Sequence, residues 1–206
     1  MTATSPAAES PEPAAGGTFR RTGERLVHQG HLWKVVVADY ESPEGEPFTR
    51  DVVRSPGAVG VVPLLFDAEG NPFVVLVRQW RPAHEREIWE IPAGMRDVPG
   101  EPPDVTGGRE LVEEVGYRAG RMSLLAEMLP SPGLTDAVTH IYLATELAPA
   151  KRELHGPEEE HSTMAQVPFE EAIAMVERGD IADAKTCLGL LLTERRLRRS
   201  DATPHV

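Results

Sequence analysis

Apolar residues fall first in strand-like runs and only later at helical spacing. "ERLVHQG" and "LWKVVVADYE" are rich in Val, Leu and aromatic residues and predict two strands; "SPEGEP" (residues 42–47) is a turn, and "FTRDVVR" predicts a third strand. Residues 57–66, "GAVGVVPLLF", are almost continuously apolar, the pattern of a central strand buried on both faces. "DAEGNP" turns the chain and "FVVLVRQWR" returns as the next strand. "EIWEIPAG" reads as short and extended, because Pro92 interrupts any helix.

Helical spacing begins at about Asp104 and runs to Val115, where Leu111 and Val115 lie four apart and Gly116 supplies a C-terminal stop. "MSLLAEML" and "HIYLATEL" predict further strands, and "PFEEAIAMVERGD" and "ADAKTCLGLLLTERRLR" two later helices. Many strands with few, late helices predict an α+β fold, a mixed sheet covered by helices. Residues 1–18 read as a disordered tail, 19–55 as a small antiparallel strand appendage, and 56–198 as the main domain.

Composition narrows the function. The chain has 206 residues and 40% hydrophobic content, enough for a core, and no apolar run long enough to span a membrane. Its start lacks the basic and apolar regions of a secretory signal, and Cys187 stands alone, so no intramolecular disulfide is expected. Both features fit the reducing cytoplasm. A net charge of −12 argues against nucleic-acid binding, and the basic run "ERRLRRS" reads as a solvated last helical turn. The seven histidines show no metal-ligand spacing.

Against this background "GRELVEEVG", residues 108–116, stands out. On a helix, Glu110, Glu113 and Glu114 crowd together, and like charges at that spacing destabilise it by about 0.2–0.5 kcal/mol per pair. Glu101 in the preceding Gly/Pro-rich loop adds another acid, and Arg109 lies within the cluster. Such a patch suits a hard cation held against substrate phosphates.

From residue 94 to 117 the chain reads "GMRDVPGEPPDVTGGRELVEEVGY". This resembles the Nudix box. Glu101, Arg109, Glu110, Leu111, Glu113, Glu114 and Gly116 match its second half, with Tyr117 in the final apolar slot. Six residues rather than five separate Gly94 from Glu101, and Gly107 and Gly108 fall inside the helix. Each glycine there costs roughly 0.8–1 kcal/mol relative to Ala. Either the helix starts late or its backbone packs closely on the sheet. The resemblance implies an α/β/α sandwich and hydrolysis of a nucleoside diphosphate linked to another moiety. It implies Mg2+, with Mn2+ able to substitute, on Glu110, Glu113, Glu114 and the Ala93 carbonyl. Glu101, Arg109 and Gly94 would clamp the box.

Other stretches are similar to the ADP-ribose and nucleoside-diphosphate-sugar branch: "IWEIPAG", "LVRQWRP", and Pro132 fifteen residues beyond Tyr117, followed by Gly133. "TRDVV" resembles the strand that, in dimers of that branch, brings an arginine and an acid to the adenosine, here Arg50 and Asp51. Arg78 and Arg81, three apart, point to opposite faces of a regular strand, and Arg81 is taken as the one facing substrate. Trp80 and Trp89 are read as core. In "PEEEHS", Glu159 and Glu160 are both candidates for the general base on water that the branch carries on a loop. The resemblance thus implies cleavage of ADP-ribose to AMP and ribose 5-phosphate by a homodimer. The alternatives are another nucleoside diphosphate sugar, or a non-catalytic ADP-ribose sensor.

Overall fold

A computed structural model describes residues 17–153 and 157–201. The expected disordered tail, apart from Gly17 and Thr18, lies outside the described residues, as does His155. Strands β1 (Arg20–Gln29), β2 (Lys34–Glu41) and β3 (Pro47–Arg54) form a separate antiparallel sheet in the order β1-β2-β3. It touches the rest of the chain at the end of β3, where the Val53 amide donates to the Leu134 carbonyl (2.9 Å). Beside it, Arg54 pairs with Asp136 at 3.1 Å.

The larger sheet is built on β4 (Ala58–Phe66) and β5 (Pro72–Arg81), with the short β6 (Arg86–Glu90) and β7 (Ala93–Met95). Strands β8 (Tyr117–Met128), β9 (Thr139–Pro149) and β10 (Thr163–Pro168) complete it. The strand order is β10-β5-β4-β9-β8, with β6 on β5 and β7 on β4. The β4–β9 pair is parallel and the others are antiparallel, so the sheet is mixed.

Period-two alternation sends β4, β5 and β9 residues to two cores. Val59, Val61, Val75, Val77, Tyr142 and Ala144 meet Leu111 and Val115 of α1 (Pro103–Val115). Val62, Leu64, Val74, Leu76, Ile141 and Leu143 face the other way. There they pack with Phe169, Ala172, Ile173 and Leu190, from α3 (Phe169–Glu177) and α4 (Ala184–Asp201). This is an α/β/α sandwich, and the unbroken apolar run of β4 follows from burial on both faces.

Two details depart from the sequence reading, and a third decides between its alternatives. Strand β10, "TMAQVP", and the single turn α2 (Pro157–Glu160) were not predicted; β10 mixes polar residues because it lies at the edge of the sheet. Helix α1 does not start late. It begins at Pro103, and Gly107 resolves the anomaly: a Cβ there would lie 2.9 Å from Val59 Cγ1 and 3.1 Å from Val61 Cγ2. Trp80 is not core but 46% exposed, since the alternation of β5 buries Gln79 instead. Trp89 does pack against the core.

Candidate active site

The buried residues of α1 are Thr106, Gly107, Glu110, Leu111, Glu114 and Val115. They recur at three- and four-residue spacing, so the stripe that anchors the helix to the sheet also carries two of its acids. Glu110 is 7% exposed and Glu114 only 3%. Gly116 closes the helix in the left-handed conformation (φ 69°), its amide reaching back to the carbonyls of Leu111 and Val112. Glu113, on the flank, is half-buried.

Strand β7 lies against this stripe. The Ala93 amide donates to Glu114 Oε2 at 3.1 Å. Gly94 stands so close to Glu110 that a Cβ would fall 2.1 Å from its carboxyl carbon. Arg109 gathers the remaining acids: Glu110 at 2.8 Å, Glu113 at 3.1 Å, Asp97 at 3.4 Å and Glu101 at 3.5 Å. Glu101 also accepts from the Thr106 hydroxyl at 2.7 Å, which fastens the loop to the first turn of α1. Asp97 was not singled out from the sequence. It lies in the stretch that carries the extra residue, so no motif position marks it.

These groups are short of positive charge. Burial, above all, lifts the Glu110 carboxyl to about 7; Arg109 opposes the shift, and Glu113 and Glu159 add to it. Burial likewise lifts Glu114 to about 8, opposed by the Ala93 amide and by Arg81 and reinforced by Glu110 and Glu159. Glu159 is therefore close enough for its field to reach both acids. Its carbonyl accepts the Ser162 amide (3.0 Å) and hydroxyl (2.7 Å). Glu160 is exposed.

On the other side stands Arg81, at the end of β5. Its Nε and Nη2 grip the Glu90 carboxylate at 2.6 and 2.8 Å, and Lys185 of α4 contacts the same carboxylate. Arg81, Glu90 and Lys185 line a cavity of about 610 Å3 with Trp33, His84 and Arg86, a volume within the usual range of small-molecule sites. Glu90 lies within "EIWEIPAG" but no spacing rule marks it, and Lys185 has only its place in an apolar helix to mark it. Arg78 is directed elsewhere, to Glu87 at 2.9 Å.

The remaining predicted residues lie apart from the acids. Arg50 and Asp51 are exposed on β3, with the Arg50 guanidinium over the Phe48 ring at 4.8 Å. Pro132 and Gly133 form an exposed turn between β8 and β9, joined to β3 where the Thr135 hydroxyl donates to the Val53 carbonyl (2.8 Å).

Whether the acids suit a divalent cation can be judged from their charge balance. Among the described residues no three acidic, His or Cys side chains close into a ready metal cage. Instead Arg109 faces four carboxylates, while Glu114 is buried with a backbone amide as its hydrogen-bond donor. Buried carboxylates lacking counter-charge are either protonated or paired with a cation. The set fits a hard, oxygen-seeking ion.

The NUDIX domain profile matches residues 54–187. The chain belongs to the Nudix family. Hydrolases of this family generally use divalent metal ions. It is 36% identical over 173 residues to the ADP-ribose pyrophosphatase of Mycobacterium tuberculosis (strain ATCC 25618 / H37Rv), covering 84% of this chain and 82% of that protein. The ADP-ribose pyrophosphatase of Bacillus subtilis (strain 168) is likewise 36% identical over 164 residues, 80% of this chain and 86% of its own. A crystal structure of an ADP compounds hydrolase has the same fold, with a TM-score of 0.77 at 22% identity, covering 93% of this chain and all (100%) of that one. Among the described residues no helix of this Nudix hydrolase is long and apolar enough to cross a membrane.

Proposed function

We propose that this Nudix hydrolase cleaves the diphosphate of ADP-ribose to AMP and ribose 5-phosphate, with Mg2+ as its metal. The observation that carries this is the pair of buried acids, Glu110 against Gly94 and Glu114 against Ala93, with the charge of Arg81, which lines the 610 Å3 cavity, reaching Glu114. The substrate rests on the two relatives named as ADP-ribose pyrophosphatases.

In this reading Glu110, Glu113, Glu114 and the Ala93 carbonyl hold Mg2+, and Mn2+ substitutes. The bound ion would polarise phosphoryl oxygens and lower the pKa of a coordinated water. The protein supplies the rest. Arg81, kept oriented by Glu90, places a planar cation where the diphosphate enters. Glu159 takes the proton of the attacking water, whose oxygen bonds to phosphorus as the P–O bond to the leaving phosphate breaks. Glu159 is preferred over Glu160 because its charge reaches Glu110 and Glu114. Glu101, Arg109 and Gly94 keep the loop and α1 in register. Arg50, Asp51, Pro132 and Gly133 contact the nucleoside end across a homodimer in which residues 19–55 form the dimerisation unit.

The test is release of the nucleoside monophosphate (AMP, UMP or GMP) from a panel of ADP-ribose, ADP-glucose, UDP-glucose and GDP-mannose, with Mg2+ and with EDTA. Mg2+-dependent release from ADP-ribose well above the rest is the expected result. GDP-mannose enters because relatives named GDP-mannose pyrophosphatase are 33% identical over 160 residues. Preference for that or another sugar nucleotide would overturn the substrate while leaving the mechanism. Tight ADP-ribose binding without turnover would make the protein a sensor.

A further inference from the structure

The start of α4 makes contacts that its role as a helix terminus does not require. Asp183 stands at the N-cap position, and its Oδ2 accepts the Thr186 amide at 3.0 Å, an ordinary cap. The same oxygen also accepts the Thr186 hydroxyl at 2.6 Å and Lys185 Nζ at 3.0 Å. With its proton committed to Asp183, the Thr186 oxygen presents a lone pair, and it accepts the Ile91 amide at 2.9 Å. Thr186 and Ile91 are both 0% exposed.

Residues 90–93 are thereby held at successive positions. Glu90 is gripped by Arg81 and Lys185, the Ile91 amide by Thr186, the Pro92 carbonyl by the Val61 amide at 2.9 Å, and the Ala93 amide by Glu114 at 3.1 Å. Two of those anchors come from α4, on the far side of the sheet from α1. The segment ends at Ala93, which faces the buried acids.

We propose that Thr186, oriented by Asp183, is a positioning residue for metal binding. It fixes the backbone that presents Ala93 to Glu114 and the adjoining Gly94 to Glu110. The inference rests on the reading of these acids as the metal site. Partners that orient a metal's ligands commonly change affinity by about 10–100-fold when removed.

The measurement is Mn2+ binding to substrate-free protein, by titration calorimetry and the paramagnetic resonance of free Mn2+, alongside thermal unfolding without metal. Thr186→Val keeps the volume but leaves the Ile91 amide without its acceptor; Mn2+ affinity should fall about 10-fold or more. Thr186→Ser should restore it to within about 3-fold, since the hydroxyl is back. Asp183→Asn keeps a good cap but weakens the charge-assisted bond to the hydroxyl, and should cost about 3-fold. If Thr186→Val folds and binds Mn2+ within twofold of wild type, roughly the error of one titration, the idea is overturned. If it does not fold, Asp183→Asn decides alone, with unchanged affinity counting against the proposal. Wild-type protein that takes up Mn2+ but leaves ADP-ribose intact would sink the substrate reading and leave this inference standing. Wild-type protein that takes up no Mn2+ would overturn both.

Discussion

Gly94 and Glu110 share one space: the carboxyl of the second lies where a side chain on the first would begin, 2.1 Å from an ideal Cβ. The glycine at the head of the box is thus required by close approach to an acid. Gly94→Ala must push Glu110 aside, and a displacement of that order at a reacting centre can cost about 10²-fold in rate. The expected result is a loss of that size in kcat/KM with Mg2+ saturating. Turnover near wild type would show that the Glu110 carboxyl relocates freely.

Metal-free protein should lose stability as pH rises. The folded carboxyls of Glu110 and Glu114 sit at about 7 and about 8, against an ordinary value of 4.5. Between those limits the folded chain keeps protons that the unfolded chain has released. Stability therefore falls with pH across that window. Urea midpoints in EDTA should drop between pH 6 and pH 8.5. Mg2+ should remove much of the drop, because the cation replaces the protons. A midpoint in EDTA that rises over that range contradicts the buried-acid account.

The two loop acids should separate cleanly. Glu159→Gln should lower kcat by about 10²–10⁴-fold, the usual contribution of a positioned base, with little change in KM. Glu160→Gln, on an exposed side chain, should change it little. Near wild-type turnover in both variants with Mg2+ saturating would remove the loop from the mechanism.

The proposed homodimer would form through the N-terminal sheet. Nearly all of β1 is exposed, including Leu26 at 55% and Val27 at 54%. Light scattering at micromolar concentration should give twice the chain mass. Val27→Lys should shift it toward the monomer and weaken ADP-ribose turnover with it. A wild-type monomer would end the dimer proposal.

Period and punctuation made most of the fold legible. The double burial of β4 was written in its apolar run, and the end of α1 in Gly116. What escaped was decided by partners distant in sequence. Strand β10 is a polar edge whose place is fixed by pairing with β5. Trp80 looked like core because tryptophan usually is, but the register of β5 turned it outward. At the site, motif spacing indicated the acids of α1 and Arg109. Asp97 and Glu90 follow no spacing rule, and the cap at Asp183 does not show that Lys185 and Thr186 also reach Glu90 and Ile91, 95 residues away in sequence.

The buried stripe of α1 has an evolutionary consequence. Glu110 and Glu114 sit where a helix of this amphipathicity would otherwise place apolar side chains, and burial disfavours their ionised form. A duplicated copy released from selection for turnover would gain stability by replacing them. In lineages descended from this chain, these two acids should be among the first residues to drift once catalysis no longer matters. Their retention together is then a mark of continuing use.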